Sequence, residues 1–254
     1  MNQIELPEKL SLLSYNIQTG LAQDNSHQYL TQSWRHLLPH SKRIENLEQI
    51  SKILTSFDIV ALQEIDPGSL RSGSINQIEY LAKKAGFSYW YSQINRNLGQ
   101  IAKFSNAVLS RYPAYYVDYH KLPGVLPGRG AIRLFYGNKE NPLVVVIVHL
   151  SLGSFSQKMQ MEYIRHLVLG YDQVVVMGDL NCKLEKLLKS PLLSGKTVVP
   201  VNYQHNTYPS WKPKRILDHI LVSPSIKVQS VNVLEVPYSD HLPVGMAIYL
   251  NNAK

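Results

Sequence analysis

Residues 174–181 read VVVMGDLN, an apolar run that changes abruptly into glycine, aspartate and asparagine. A short run of Val and Met bounded by turn-forming residues is typical of a buried β-strand. The polar residues then fall at the strand end, where a rigid sheet positions the side chains that carry function. Asp179 and Asn181 are therefore the first candidate functional residues of the chain.

The same arrangement occurs five more times along the chain. Apolar runs at residues 10–17, 58–62, 144–148, 216–222 and 244–250 contain, precede or follow polar side chains of catalytic type. These side chains are Asn16, Glu64, His149, Asp218, Asp240 and His241. Both alternating faces of the runs are apolar, which predicts strands that are covered on both sides. A single Asp or Asn after a strand is usually a turn former, so the series counts for more than any one member.

Three segments between these runs have apolar residues at three-to-four spacing, which predicts helices packed on the sheets. They run from Lys42 to Ser56, from Ile75 to Ala85 and from Ser156 to Leu169. Gly86 follows the second and Gly170 the third, where a helix stop is expected. The chain shows no repeat, low-complexity tract or linker, so the sequence predicts one mixed α and β domain over residues 1–254.

The composition favours an anionic partner. The 254 residues include 26 Lys and Arg against 18 Asp and Glu, a formal net charge of +8 with neutral histidines. Hydrophobic residues make up 44% of the chain, which excludes an intrinsically disordered protein. Basic clusters at residues 35–43 and, beside Trp211, at residues 212–215 suit phosphate backbones and stacked bases. A merely soluble basic surface is the alternative.

The segment from Asn25 to Arg43 is longer than a tight connection requires, and it is rich in basic, aromatic and histidine residues. Loops of this length are often functional. Two interpretations stay open: the segment forms one wall of a groove for nucleic acid, or it is a surface excursion anchored by Trp34 and Leu37.

The sequence gives no indication of export or of a membrane span. The opening MNQIELPEKL lacks the basic start and apolar run of a secretory signal. The most apolar stretch, Leu143 to Leu150, is less than half of the ~18–20 residues that span a bilayer. The single Cys182 cannot form an internal disulfide and fits a reducing compartment. We expect a cytoplasmic protein without stable membrane insertion, and we predict no protein partner.

The candidate side chains are carboxylates, imidazoles and neutral amides. Carboxylate oxygens are the ligands that Mg²⁺ prefers, usually together with waters and phosphate oxygens of the substrate. The chain contains no G-x-S-x-G elbow, no G-x-x-x-x-G-K-[ST] phosphate loop and no H-E-x-x-H helix. Serine-hydrolase, P-loop and zinc-protease chemistry are therefore not indicated.

The order and wording of seven segments resemble the endonuclease/exonuclease/phosphatase superfamily, the DNase I-like metal-dependent phosphoesterases. The segments are SYNIQ (14–18), ALQEID (61–66), SNAVLSRYP (105–113), VHLSLG (148–153), VVVMGDLN (174–181), ILDHILVS (216–223) and SDHLPVGMAI (239–248). The resemblance implies an α/β fold, a four-layered α-β-β-α sandwich of two central mixed β-sheets flanked by helices. It also implies an active site at one edge of the sheets. The predicted strands covered on both sides agree with such a sandwich.

The resemblance assigns a metal site. Glu64 matches the family's metal-binding glutamate, and Asn16 matches the asparagine beside that metal. Asp240 is expected to be a second carboxylate on the metal side. These three residues are expected to hold Mg²⁺, with Mn²⁺ as a possible replacement.

The resemblance also assigns catalytic roles. Asp179 matches the aspartate that orients or activates the attacking water, and Asn181 matches the asparagine that contacts the phosphate. His149 matches a histidine on the phosphate or leaving group. His241 matches the histidine that stabilises the phosphoryl group or acts as acid or base, and Asp218 is expected to orient it. Protonated histidines are expected to donate hydrogen bonds where charge builds up.

Three residues are candidates for binding the substrate. Asn106 and Arg111 lie within SNAVLSRYP, where a structural role at a strand end is the alternative, and Arg96 lies upstream. Arg129 and Arg133 either rim the site with Arg96 or pair with surface acids.

Together these features predict a divalent-metal-dependent phosphodiesterase that hydrolyses P–O bonds. A nuclease that attacks DNA or RNA, as an endonuclease or an exonuclease, is the first substrate prediction. A phospholipid or inositol-phosphate phosphoesterase, either sphingomyelinase-like or a phosphatase, is the alternative. His149 argues against an ordinary abasic-site endonuclease, because enzymes of that type usually lack a histidine at this position.

Overall fold

The computed structural model describes residues 5–21, 42–201 and 205–250. The segment from Asn25 to Arg43, predicted as a groove wall, lies outside the described residues except for its last two. Of the first basic cluster, Lys42 and Arg43 are described, with Lys42 exposed and Arg43 buried, and the rest lies outside the described residues.

Twelve strands form two six-stranded sheets. The strands are β1 (Lys9–Asn16), β2 (Ile59–Ile65), β3 (Tyr89–Asn97), β4 (Lys103–Ser110), β5 (Tyr116–Lys121), β6 (Gly130–Tyr136), β7 (Leu143–His149), β8 (Gln173–Asp179), β9 (Val199–Pro200), β10 (Asp218–Val222), β11 (Lys227–Val233) and β12 (Val244–Tyr249). The first sheet has the order β11-β12-β1-β2-β4-β3 and the second the order β5-β6-β7-β8-β10-β9. The pairs β1/β2 and β7/β8 are parallel and the other pairs antiparallel, so both sheets are mixed as predicted.

Helices lie outside both sheets. They are α1 (Lys42–Leu54), α2 (Gln77–Ala85), α3 (Ser154–Val168) and the short α4 (Leu184–Leu188). The second begins two residues later than predicted, because the side chain of Asn76 caps it by accepting a hydrogen bond from the N–H of Ile78 at 3.2 Å. It ends as predicted at Gly86, whose left-handed backbone has a φ of 73°. No helix in the described ranges is long and apolar enough to span a bilayer.

Three hydrophobic clusters show the order of the layers. The central one lies between the sheets and includes Leu12 of β1 and Val145 of β7. A second joins helices α1 and α2 to the first sheet through residues such as Leu47, and a third joins α3 to the second sheet through residues such as Ile164. The layers therefore run helix, sheet, sheet, helix, which confirms the predicted sandwich.

The sheet edges differ from the centre. Strands β3, β5 and β11 lie at sheet edges, and their residues are half-buried or exposed throughout. Strands β7 and β8 lie inside the second sheet and are buried at every residue. The pattern of two apolar faces therefore marks only interior strands.

Candidate active site

Strand register brings the candidate side chains to one edge of the sandwich. In the second sheet, His149 of β7 pairs with Asp179 of β8, and Asp218 of β10 pairs with the same Asp179. In the first sheet, Asn16 of β1 pairs with the residue that precedes Glu64. Across the sheets, Asn16 Nδ2 donates to Asp179 Oδ2 at 3.1 Å and is 3.4 Å from Glu64 Oε1. The predicted metal-side and catalytic residues thus form one continuous group.

Glu64 reaches this group because β2 is irregular at its end. The ladder between β2 and β4 shifts register between Leu62 and Ile65. Glu64 lies in the shift with a φ of 57°, a left-handed conformation that is uncommon for residues other than glycine. Asn181, after β8, has a φ of 51°. Strained backbone of this kind is typical of functional sites, where the surrounding structure holds it in place.

Asp179 is the most constrained carboxylate of the site. Its Oδ1 accepts a hydrogen bond from the backbone N–H of Asn181 at 2.9 Å, and its Oδ2 accepts the one from Asn16. Burial, with a further contribution from the charge of Asp218, raises the pKa of Asp179 to about 7, although the nearby His241 acts in the opposite direction. A carboxylate with this pKa is suited to exchange a proton near neutral pH.

His241 is held by Asp218. Its Nδ1 is 2.8 Å from Asp218 Oδ2, and its Nε2 is 3.8 Å from Asp179 Oδ2. Burial alone lowers the pKa of His241, but the charges of Asp218, Asp179 and Asp240 raise it well above its usual value. The neighbouring acids therefore favour the protonated imidazole. Tyr208 packs against the ring with the two centroids 4.8 Å apart.

The pKa of His149 moves in the opposite direction. Burial, together with the positive charges of Arg129 and His241, holds the pKa of His149 well below its usual value. Its Nε2 is 3.5 Å from Asp179 Oδ2 and 3.9 Å from Glu64 Oε1. Burial beside two cations thus disfavours the protonated form that was expected for His149, although two acids lie within 4 Å of its ring.

Asp240 is supported by residues to which the sequence assigned no role. Gln18 Nε2 donates to Asp240 Oδ2 at 3.1 Å, and Ser239 Oγ donates to the carbonyl of Asn16 at 2.6 Å. Burial, and to a smaller extent the charge of Glu64, raises the pKa of Asp240 to about 6, against the opposing effect of the nearby imidazole. Gln18 is the last residue of the SYNIQ segment and lies two residues after Asn16. This closeness to a predicted site residue is the sequence signal that could have identified Gln18.

The donor set fits a divalent cation. Ligand atoms of Asp179, Asp218 and His241 lie within 4.8 Å of one another. The contact between Asp218 and His241 is already a short hydrogen bond, which makes these two atoms poorer ligands than their spacing indicates. Glu64 and Asp240 offer further carboxylate oxygens, of the kind that Mg²⁺ prefers. Burial is the main cause of the raised pKa values of Asp179 and Asp240, with a smaller contribution from neighbouring acids, and a divalent cation would stabilise the charged carboxylates against both effects.

A cavity of about 520 Å³ opens from Glu64 and His149. Arg96, Arg129 and Asn106 contribute to its wall, and Asn106 Nδ2 donates to the carbonyl of Gly130 at 3.0 Å. Four exposed apolar side chains surround its mouth: Val125, Leu126, Leu152 and Phe155. The cavity thus passes from charged side chains at its base to apolar side chains at its mouth.

Two of the remaining sequence candidates have structural partners. Arg111 lies at the other end of the sheet from Glu64, and its guanidinium donates to the carbonyls of Thr55, Phe57 and Gly86 at 2.6, 3.0 and 3.3 Å. The structure therefore does not bring Arg111 to the cavity. Arg133 pairs with an acid, Asp118, at 2.6 Å, which was the alternative to a place on the rim.

Asn181 and His219 each follow a site aspartate in the chain, Asn181 two residues after Asp179 and His219 directly after Asp218. Asn181 Nδ2 donates to the carbonyl of Leu150 at 2.9 Å, so part of its amide supports the loop after β7. His219 Nε2 is 2.8 Å from the carbonyl oxygen of Cys182 and lies buried beside Asp218, so its ring supports the chain that follows β8.

Comparisons with known proteins agree with this architecture. The Endonuclease/Exonuclease/phosphatase family matches residues 13–241 of the chain. A solved structure of an endonuclease/exonuclease/phosphatase family protein from Bacteroides thetaiotaomicron is 16% identical, with a TM-score of 0.72 over 97% of this chain and 99% of that one. A mannosyl-6-phosphatase from the same organism is 17% identical, with a TM-score of 0.68 over 95% and 100%. TDP2 of D. rerio, complexed with a single strand DNA product, is 15% identical, with a TM-score of 0.67 over 96% and 100%. No curated protein sequence matches the chain.

Proposed function

The chain belongs to the endonuclease/exonuclease/phosphatase family, and on this basis we propose that it is a divalent-metal-dependent phosphodiesterase with its active site at the shared sheet edge. The observation that carries the proposal is the link between the sheets. A buried Asp179, with a pKa near neutrality, is hydrogen-bonded through Asn16 to the group that contains Glu64.

We assign the cation, Mg²⁺ or Mn²⁺, to Glu64, Asp240 and Asn16. When bound there, it supplies positive charge that neutralises phosphate oxygens and stabilises the departing oxygen. Glu64 suits this role because it is the most accessible acid of the group, with a side chain 31% exposed and directed at the cavity.

We assign to Asp179 the role of general base towards the attacking water. Its two hydrogen-bonded neighbours, Asn16 and Asn181, fix the carboxylate so that it orients the water and accepts its proton. The new P–O bond forms to the water oxygen, and the ester P–O bond breaks with its electron pair going to the leaving oxygen. A positioned base of this type contributes about 10²–10⁴-fold to the rate.

We assign the protonated His241 to a non-bridging phosphoryl oxygen. In-line displacement places the attacking and leaving oxygens on opposite sides of phosphorus. His241 Nε2 is only 3.8 Å from Asp179 Oδ2, so a water bound to Asp179 and a donor on His241 share one side of the phosphate. Of the two roles expected from the sequence, stabilising the phosphoryl group is therefore the better supported. The Nδ1 contact with Asp218 keeps the charge on this ring.

Two substrate classes remain candidates. The net charge of +8 and the two arginines at the cavity, Arg96 and Arg129, support DNA or RNA, the first prediction from the sequence. One neighbour in fold is complexed with single strand DNA product and another is a mannosyl-6-phosphatase, so fold likeness does not rank the classes. The apolar mouth of the cavity favours the second prediction, a phospholipid or inositol-phosphate ester.

The test is hydrolysis of bis(p-nitrophenyl) phosphate with Mg²⁺, with Mn²⁺ and with EDTA. We expect cation-dependent hydrolysis that Asp179→Asn lowers by about 10²–10⁴-fold. Asp172→Asn is the matched control, since Asp172 is exposed and precedes the same strand. Equal rates for wild type and Asp179→Asn, or full activity in EDTA, would overturn the proposal.

A further inference from the structure

The four most exposed large apolar side chains among the described residues all line the mouth of one cavity. Val125, Leu126, Leu152 and Phe155 are 73%, 76%, 78% and 69% exposed. Val125 and Leu126 belong to the loop between β5 and β6, whereas the other two belong to the loop after β7 and the start of α3. Single exposed apolar residues are ordinary, but a cluster around a binding site marks a surface that contacts something.

The apolar surface continues onto a third loop. Arg96 and Phe104 pair across the β3/β4 hairpin and both line the cavity, and the turn between them carries the exposed Leu98 and Ile101. Leu70, also exposed, lies beside this turn, since its backbone N–H donates to the carbonyl of Gln100 at 2.8 Å. We use the term apolar rim for Leu70, Leu98, Ile101, Val125, Leu126, Leu152 and Phe155.

We infer that the apolar rim docks on an anionic phospholipid surface, so that the phosphoester of a lipid headgroup enters the cavity; this rests on the proposed phosphodiesterase function. A lipid surface is one partner that contacts three separate loops at once. Apolar side chains that insert at the boundary of headgroups and acyl chains bind in proportion to the apolar area buried and to the attraction of nearby basic residues for anionic lipids.

The chemistry of the rim favours lipid over nucleic acid. Binding of single strands relies on aromatic side chains on which bases stack, together with a basic groove. Only Phe155 of the seven rim residues has a ring, and the others are aliphatic. Aliphatic side chains cannot stack with bases, but they mix readily with acyl chains.

The charges and the volume of the cavity agree with this partner. Arg96 and Arg129 line the same cavity as the rim residues Val125, Leu126, Leu152 and Phe155, and Arg129 is close enough to Glu64 and Asp179 for their charges to act on its pKa, so an anionic headgroup in the cavity would meet basic side chains. The cavity of about 520 Å³ is within the range for one small molecule. It therefore suits a headgroup while the acyl chains stay in the bilayer, with the rim at the interface.

The experiment measures binding of the full chain to vesicles of phosphatidylcholine with and without phosphatidylglycerol, by flotation. The test variant is Leu126→Ser with Phe155→Ser, and the control variant is Leu169→Ser with Leu188→Ser, which alters two exposed leucines outside the cavity wall. We expect the wild type and the control to bind anionic vesicles, and the rim variant to bind about tenfold more weakly or worse. Thermal unfolding of each variant verifies that it is folded.

Hydrolysis gives a second measurement on the same variants. We expect the ratio of phosphatidylglycerol hydrolysis in vesicles to hydrolysis of soluble bis(p-nitrophenyl) phosphate to fall about tenfold in the rim variant and to stay constant in the control. Asp179→Asn should bind vesicles like the wild type without hydrolysing either ester. A wild type that hydrolyses the soluble ester but ignores vesicles would overturn the docking while leaving the phosphodiesterase function standing. A wild type that binds vesicles and hydrolyses neither ester would overturn the proposed function instead.

Two other partners give distinct outcomes. If the rim variant loses affinity for a single-stranded oligonucleotide and keeps its affinity for vesicles, the rim serves nucleic acid and the inference is wrong. If the wild type is a dimer in solution and the rim variant a monomer, with vesicle binding unchanged, the rim is an interface between copies of this chain, and the inference is again wrong.

Discussion

Replacement of Gly178 by alanine tests how the fold builds the site. Gly178 lies in β8 directly before Asp179, and it pairs with Val148 of β7, directly before His149. A Cβ at Gly178 would lie 1.9 Å from the carbonyl oxygen of Val148, well inside the 3.0 Å below which real Cβ contacts are essentially never seen. The φ of Gly178 is 151°, which side chains rarely adopt.

The cost has two components, which a second glycine separates. Gly170 has a φ of 86°, but no atom lies within 4 Å of a Cβ built there. Gly170→Ala should therefore lose only the conformational component, about 1–2 kcal/mol of the free energy of unfolding. Gly178→Ala should lose about 3–5 kcal/mol, because a clash with backbone adds the upper part of the usual over-packing cost of about 1–3 kcal/mol.

The assay combines thermal unfolding with hydrolysis. In a chain of this size, a loss of about 4 kcal/mol lowers Tm by roughly 8–16 °C. Because β7 must move away from β8, His149 Nε2 and Asp179 Oδ2 should separate from their 3.5 Å spacing. We therefore expect the specific activity of folded Gly178→Ala to fall, measured well below its Tm, and that of Gly170→Ala to be retained. Equal Tm values and equal activities for the two variants would refute the reasoning.

Three further perturbations concern charged residues, two of them at the site and one away from it. Asp218→Asn removes the charge beside His241, so burial should dominate and lower the pKa of the ring. We then expect kcat at neutral pH to drop by about 10²–10⁴-fold. An unchanged titration of His241 by NMR would contradict the expected fall in its pKa. Burial raises the pKa of Asp179 to about 7 and that of Asp240 to about 6, above the usual value of an aspartate, so their contribution to stability is present at low pH and is lost as pH rises through those values. Mg²⁺ should therefore raise Tm more at pH 8 than at pH 5, as measured by calorimetry, and an equal increase at both pH values would count against a cation site among these acids. Arg111→Ala should lower stability by about 1–3 kcal/mol through lost hydrogen bonds to carbonyls while kcat/KM of the folded enzyme stays the same; a selective loss of kcat/KM would return Arg111 to the substrate site.

The interior strands of the sheets could be predicted from the sequence, because burial on both sides requires apolar residues on both faces, a pattern that few other structures share. Strands β7 and β8 are buried at every residue, and their ends at His149 and Asp179 were found correctly. The edge strands were not, since solvent on one side permits polar residues such as Asp118 in β5 and Gln229 in β11. Edge strands carry no doubly apolar run to detect.

Strand direction explains where the site prediction went wrong. Asn106 and Arg111 are in one segment, and both were candidates for the substrate. Strand β4 runs antiparallel to β2, so Ser105 pairs with Ile65 near Glu64, whereas Ser110 pairs with Ile59 at the far end. Asn106 therefore lines the cavity and Arg111 cannot reach it. A run of residues does not reveal its direction in the sheet.

Protonation states and loop contacts also lay beyond the sequence. Both histidines follow the same kind of pattern, yet their pKa values move in opposite directions: at His149 burial dominates, with the charges of Arg129 and His241 adding to it, whereas at His241 the charges of Asp218, Asp179 and Asp240 outweigh burial. The apolar rim combines three loops with the short helical turn that carries Leu70, and these segments are distant in the chain. Only the folded arrangement brings Leu126 and Leu152 to one cavity.

The hydrogen bond from Asn16 to Asp179 joins one sheet to the other at the reactive centre. Glu64 lies in one sheet and Asp179 in the other. The proposed chemistry needs both side chains, so it needs both sheets in contact. A molecule whose sheets have formed but have not yet closed on each other would bind its cation poorly and hydrolyse nothing. On the proposed function, closure of the sandwich is thus the step that completes the active site.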